Sequence, residues 1–259
     1  MRPLITLATD FGSRDPYAAA IKGVILSQCR EAKIVDLTHE IAATGVVEGA
    51  LFLAAAVPWY PDGTIHVVVV DPGVGTDRLP IVARLGGQTV ICPDNGLLTL
   101  LAQTHPLERM YAITSPDFMA EKISPTFHGR DVFAFAAGRI AAGASPEEAG
   151  PALDSIYTLD LPKAHRDSDG HILGEIIHVD RFGNLITNIS DTLLNGITDM
   201  RLRSGALKLS ALSRIYADVP PQKPLAVIGG SGRLEIAVNL GSAHELLRLT
   251  VGDKVEIIA

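Results

Sequence analysis

The sequence predicts two domains in series, an N-terminal α/β domain with a largely parallel sheet and a smaller C-terminal β domain. Three observations carry this. Residues 1–160 alternate strand-like and helix-like apolar patterns. Residues 161–170, with Pro162 and the Asp-rich DSDG, form a polar stretch expected to be a linker. Residues 171–259 carry short β patterns and no strong helical one.

Taken in order, Pro3 to Thr9 is an apolar run that ends in a polar turn. Asp15-Pro16 suits an N-cap followed by Pro at the first helical position. Tyr17, Ile21, Val24, Ile25 and Cys29 then repeat at helical spacing, which predicts one buried stripe with Cys29 as a packed thiol. Lys33 to Thr38 is a second strand, and Val46 to Val57, rich in Ala and Leu, a second helix. Thr64 to Val70 is a continuous β-branched run, the mark of a strand covered on both faces. Leu79 to Leu85 and Gln88 to Ile91 form a hairpin about Gly86-Gly87. Gly96 to Gln103 and Val132 to Ala142 are further helices, and Ser145-Pro146-Glu147-Glu148 is a capping box that opens a short one. Beyond the linker, Ile172 to Val179 is a strand and Arg201 to Leu209 a hairpin. Ala226 to Gly229 is a short strand; Leu234, Ile236 and Val238 alternate at period two; Lys254 to Ile258 is the last strand.

Composition removes several classes of function. With 259 residues, 47% hydrophobic and 20% charged, the chain has ample material for a core and is not disordered. Its 29 acidic residues against 22 Lys and Arg give a net charge of -7, which disfavours a nucleic-acid binder. Apolar stretches such as Ile65 to Val70 are too short to span a bilayer, so no membrane partner is expected. The opening MRPLITLATDFG reaches Asp10 without the apolar core of a signal peptide, so a cytoplasmic protein is expected. Cys29 and Cys92 are the two cysteines, and they form no CxxC motif.

Four polar clusters sit at strand ends or turns beside glycine. Thr9-Asp10-Phe11-Gly12 follows the first strand, where a carboxylate either holds ribose hydroxyls or caps the next turn. Asp71 to Arg78 (DPGVGTDR) follows the most apolar strand. It matches neither a dinucleotide fingerprint nor a P-loop, and Asp71 and Arg78 could pair across it for catalysis or only to close the turn. Thr126 to Asp131 (TFHGRD) crowds His128, Arg130 and Asp131 at a helix start, so His128 is a candidate base, ligand or orienting donor. Asp180 to Asn184 (DRFGN) sets an aromatic ring beside amide and carboxylate groups, which suits a purine or simply a β-turn. A metal on Asp10, Asp71, His128 and Asp131 lacks supporting motif spacing, so none is expected.

In order and spacing, TDFG at 9–12, DPGVGTDR at 71–78, DNGLL at 94–98, TFHGRD at 126–131, DRFGNLITNI at 180–189 and SGRLEIAVNLGSA at 231–243 resemble one family. It is the S-adenosyl-L-methionine (SAM) hydroxide adenosyltransferases, or SAM hydrolases, related to the fluorinases and chlorinases. The resemblance covers nearly the whole chain. It implies a barrel-like C-terminal domain and a homotrimer with sites at subunit interfaces. It also implies a reaction of SAM with water that gives adenosine and L-methionine, with no cofactor. By the same matching, Asp71, Arg78 and His128 form the catalytic triad. Asp10 meets the ribose, Phe182 and Asn184 the adenine, and Tyr17 and Asp180 the methionine end; Ser231, Glu235 and the backbone from Val238 to Leu240 complete the pocket.

Fluorinases carry Tyr where this chain has Asp71, and Tyr-Ser in place of His128-Gly129. A carboxylate at 71 would repel a halide. Arg78 also leads directly into the strand at Leu79, without the fluorinase insertion, so the hydroxide branch is expected. The same pocket residues would serve a protein that senses SAM or adenosine without turnover.

Overall fold

The computed structural model describes residues 2–197 and 200–258. The chain divides into two compact units, Met1–Leu159 and Asp160–Ala259.

The first unit runs β1 (Leu4–Thr9), α1 (Tyr17–Gln28), β2 (Lys33–Thr38), α2 (Val46–Ala56), β3 (Ile65–Val69), β4 (Pro80–Leu85), β5 (Gln88–Pro93), β6 (Leu107–Ala112) and α3 (Phe135–Ala141). The sheet order is β2-β1-β3-β5-β4-β6. The joins β2/β1, β1/β3 and β3/β5 are parallel, while β4 runs against both β5 and β6, so the sheet is mostly parallel with one reversed strand. The reversal follows from the two-residue turn at Gly86-Gly87. Both glycines have positive φ, +55° and +79°, as a tight hairpin turn of this hand requires.

The apolar run in β3 is buried on both faces. Val67 and Val69 pack with Ile21, Ile25 and Phe133 from α1 and the helix ending in α3, whereas Val68 and Val70 pack with Leu53 of α2. Alternate residues of a strand face opposite sides, so a run without polar gaps demands a layer on each side.

Local differences from expectation have physical causes. Helix α1 starts at Tyr17, with the first helical bond from Ala20 N to Pro16 O, so Pro16 takes the cap position and Asp15 lies outside it. The helix expected over residues 96–103 shrinks to a single tight turn at Leu101–Gln103, after turns that begin at Gly96 with φ +103°. The helix expected from Val132 begins earlier, as a wide π-type turn over Gly129–Ala134 that runs into α3. Strand β6 carries no clean alternation, since Leu107, Glu108 and Arg109 stand partly or fully exposed, and no period-two pattern announces it.

The second unit runs β7 (His165–Arg166), β8 (Ile172–Val179), β9 (Leu185–Ser190), β10 (Arg201–Ser204), β11 (Leu207–Leu209), β12 (Leu212–Ser213), β13 (Pro224–Ile228), β14 (Arg233–Val238), α4 (Ala243–Leu247) and β15 (Lys254–Ile258). Its strands follow the order β11-β10-β15-β8-β9-β14-β13-β12, with β7 on β8. The result is a curled half-barrel, antiparallel except at β12/β13. Part of the stretch expected as a linker is therefore strand, since His165–Arg166 pairs with β8. Ile172, Ile176, Leu185, Ile189, Leu234, Ile236, Val255 and Ile257 fill the concavity. Strand β14 is buried on both faces, because Ala237 packs with Leu225 and Val227 in a separate cluster.

Candidate active site

Asp71 follows Val70 at the end of the fully buried strand β3, and a side-chain clamp and a loop closure fix it there. Asn95 Nδ2 donates to Val70 O at 2.9 Å, clamping the peptide that leads into Asp71. The loop then turns at Gly75, whose φ is +79° and where a Cβ would stand 2.5 Å from Pro125 O. Only glycine lets the 71–78 loop close on the 124–128 segment. That closure brings Arg78 against His128.

The three groups form one bonded cluster. Arg78 Nε donates to Asp71 Oδ1 at 2.8 Å, and Arg78 Nη2 donates to Asp71 Oδ2. The pair is desolvated, with side chains 9% and 5% exposed. Arg78 Nη2 also lies 2.8 Å from His128 Nδ1. A guanidinium only donates, so Nδ1 accepts and the ring hydrogen sits on Nε2. The His128 pKa is lowered in keeping with this: burial is the first cause and the Arg78 charge the second, and together they outweigh Asp71 and Asp131. Arg78 Nη1 is buried with no hydrogen-bond partner among the described residues.

Asp131 has a different place. Its carboxylate accepts Ser124 N at 2.8 Å and Arg130 Nε at 2.6 Å, tying the 124–131 loop together. Burial would raise its pKa, but these bonds outweigh burial and hold it below the ordinary carboxylate value.

A cavity of about 480 Å³ opens beside the cluster, with Asp71, His128, Asp10, Tyr17, Phe11 and Phe127 in its wall. Arg78 stands behind Asp71 and His128. Asp10 follows β1, and its Oδ2 accepts Thr44 N at 3.0 Å. Thr44 holds φ at +63°, a left-handed conformation that is strained for a β-branched residue. Phe11, Tyr17 and Phe127 pack edge to face, with ring centroids 5.4–6.0 Å apart. Asp10, Tyr17, Asp71, Arg78 and His128 are thus brought together within the first unit. Asn95, Thr44 and Phe127 join them without having been singled out; the positive φ of Thr44 in particular has no signature in the sequence.

The remaining predicted residues lie in the second unit. Asp180 closes the β8–β9 turn, with Oδ1 accepting Phe182 N at 2.8 Å and Asn184 N at 2.9 Å and Oδ2 accepting Asn184 Nδ2 at 2.9 Å. Gly183 has φ +80°, and a Cβ there would collide with Ser242 Oγ at 2.1 Å, so the turn leaves Phe182 pointing outward, 75% exposed. Glu235 is buried on β14 and accepts Tyr216 Oη at 3.3 Å. Its carboxyl pKa is raised, first by burial and further by Asp180, against the Tyr216 bond. Tyr216 came from a loop without a motif. Ser231 is exposed in the turn before β14, Val238 is packed in the core, and Leu240 stands 79% exposed with φ +53°. Among the described residues, no group of three or more His, Cys, Asp or Glu side chains could hold a metal. No described helix is long and apolar enough to cross a membrane.

Comparison with known proteins gives the chain's family. Residues 5–150 match the SAM hydroxide adenosyltransferase N-terminal domain, and residues 174–256 match its C-terminal domain. This chain belongs to that family. A relative from Thermus thermophilus, named (R)-S-adenosyl-L-methionine hydrolase, is 37% identical over 265 residues and spans 100% of both chains. One of the same name from Salinispora arenicola is 36% identical over 260 residues, covering 99% of this chain and 98% of its own. A crystal structure of an uncharacterized conserved protein from Thermotoga maritima superposes with a TM-score of 0.92 at 34% identity, covering 98% of this chain and 100% of that one.

Proposed function

We propose that this protein hydrolyses S-adenosyl-L-methionine to adenosine and L-methionine by attack of an activated water at C5′. The observation that carries the reading is the desolvated Asp71–Arg78–His128 cluster at the cavity wall, in a chain of the SAM hydroxide adenosyltransferase family.

The chemistry makes one demand. Methionine leaves the sulfonium as a neutral thioether, so the leaving group needs no acid. Water has a pKa of 15.7 in bulk, so the attacking water needs help to lose a proton. His128 is poorly placed to take that proton, because Nδ1 is occupied by Arg78 and Nε2 already carries hydrogen. In this reading His128 donates through Nε2–H and orients the water. Asp71 accepts the proton or the hydrogen bond that leads to its transfer. The Arg78 charge stabilises developing hydroxide. No cofactor or metal has a step to perform.

Asp10 meets the ribose hydroxyls and Tyr17 the methionine end. Asp180, Phe182, Asn184, Ser231, Glu235, Val238 and Leu240 form the adenine and methionine contacts supplied by the C-terminal domain of a neighbouring subunit in a homotrimer. Exposure of Phe182 and Leu240 in the single chain supports a covering partner, which light scattering tests. A cytoplasmic location belongs to the same reading. A halogenase is disfavoured, because Asp71 would repel a halide.

The decisive experiment incubates the protein with SAM in ¹⁸O-labelled water, without halide and with EDTA. Labelled adenosine plus methionine sustains the proposal. Intact SAM in a protein that binds it overturns turnover in favour of a sensor.

A further inference from the structure

Asp10 is held from behind by residues that take no part in the cavity wall. Thr9, fully buried at the end of β1, places its hydroxyl 2.9 Å from His39 Nδ1. Thr9 Oγ1 accepts the Phe11 amide at 3.3 Å and keeps its own hydrogen available for Nδ1. With the acceptor-only carboxylate of Asp36 facing the other ring nitrogen, the ring hydrogen sits on Nε2. This nitrogen lies 3.2 Å from Asp36 Oδ1, an approach that leaves it without a well-formed hydrogen bond among the described residues. Asp36 Oδ2 in turn takes Lys22 Nζ from α1 at 2.6 Å. His39 grips the far side as well, since its carbonyl accepts Gly12 N at 2.6 Å. One residue therefore touches the chain immediately before Asp10 and two residues after it. The Asp10 carboxylate then meets Thr44 N, in the loop that follows His39.

We propose that His39, backed by Asp36 and Lys22, is a positioning residue that fixes the Asp10 carboxylate for the nucleoside sugar. The inference rests on the assignment of Asp10 to ribose given above. It adds what aims that carboxylate. A carboxylate on a short loop has two free torsions and a mobile backbone. Locking Thr9 and Gly12 removes that freedom before substrate arrives.

The test uses His39→Leu, which removes both ring contacts, and His39→Asn, whose side-chain oxygen can replace Nδ1 as the acceptor for Thr9. Two quantities are read in each. The first is amide hydrogen exchange in the ligand-free protein at Phe11 and Thr44, whose N–H groups are bonded to Thr9 Oγ1 and the Asp10 carboxylate. The second is kcat and KM for SAM. In His39→Leu, exchange at both amides should quicken by about tenfold or more while the β3 amides keep their protection. KM should rise about tenfold with kcat within about twofold, as expected for lost uniform binding. His39→Asn should recover most of both effects. Unchanged exchange at Phe11 and Thr44 overturns the proposal. So does exchange that quickens equally in β3, which marks a general packing role. Quickened local exchange with an unchanged KM sustains the positioning of Asp10 and overturns its ribose assignment instead. If His39→Leu does not fold, His39→Phe, which keeps the ring's bulk and loses both nitrogens, carries the same readouts.

Discussion

Replacing Asp71 with Ala separates chemistry from binding. The carboxylate is 5% exposed and makes two bonds to an arginine that is 9% exposed. Removing it leaves a buried guanidinium whose one remaining bond in the cluster is to His128 Nδ1. Breaking a buried pair from one side costs about 3–5 kcal/mol of stability. For a chain of this size each kcal/mol lowers Tm by about 2–4 °C, so a drop of roughly 6–20 °C is expected. Activity must therefore be assayed well below the new transition, with folding verified by circular dichroism. Loss of a positioned proton acceptor should lower kcat by about 10²–10⁴-fold. SAM affinity, measured by calorimetry on the inactive variant, should fall far less, because the proposed reading assigns the sugar, base and methionine contacts to other residues. A parallel loss of kcat and affinity would show that Asp71 binds substrate rather than activating water. An unchanged kcat would remove it from the chemistry altogether.

Other outcomes follow from the same geometry. Gly75→Ala forces a left-handed residue and a 2.5 Å contact with Pro125 O, which should cost about 2–5 kcal/mol in urea unfolding and part Arg78 from His128; a cost under about 0.5 kcal/mol would contradict the closed loop. The lowered pKa of His128 keeps its ring neutral to more acid pH, so the acid limb of kcat/KM should lie below the ordinary histidine value of about 6.5. A limb above that value would refute the assignment of Nδ1 as acceptor. His66 is wholly buried in β3, bonded to Thr6 Oγ1 at 2.7 Å, and burial pushes its pKa down to about 4 against the opposing effect of Gln88. The unfolded chain takes up that proton first, so stability is full above about pH 6.5 and falls by about 3 kcal/mol as pH drops to about 4. Denaturant midpoints across that window should show this slope in the wild type and lose about one proton's worth of it in His66→Gln.

Sequence patterns by themselves determined the elements whose signal is local. The apolar patterns located β1, α1, α2 and the β4–β5 hairpin, because these segments bury one face or more, and they located the half-buried β2 as well. The glycines at 86 and 87 dictated the hairpin for the same local reason. Motif order also carried the family, since TDFG, DPGVGTDR and TFHGRD each keep polar groups at strand or helix ends where a ligand can reach them.

Tertiary structure decided what depends on residues far apart in the chain. Strand β9 has no strand signal of its own in the sequence, yet Leu185, Thr187 and Ile189 are buried in the half-barrel. Its alternation is masked by the polar Thr187 on the buried face, whose hydroxyl donates to Leu234 O at 2.8 Å and so is satisfied there. Glu235 falls between the alternating Leu234 and Ile236, and its burial is set only when β13 and β9 pair on both sides of β14. The proton on His128 was open in the sequence as well. Fifty positions separate it from Arg78, and only the closure of the Gly75 loop on Pro125 brings the donor to Nδ1. A side chain's chemical type is written in the sequence, but its protonation and direction are set by the groups the fold places within hydrogen-bond reach.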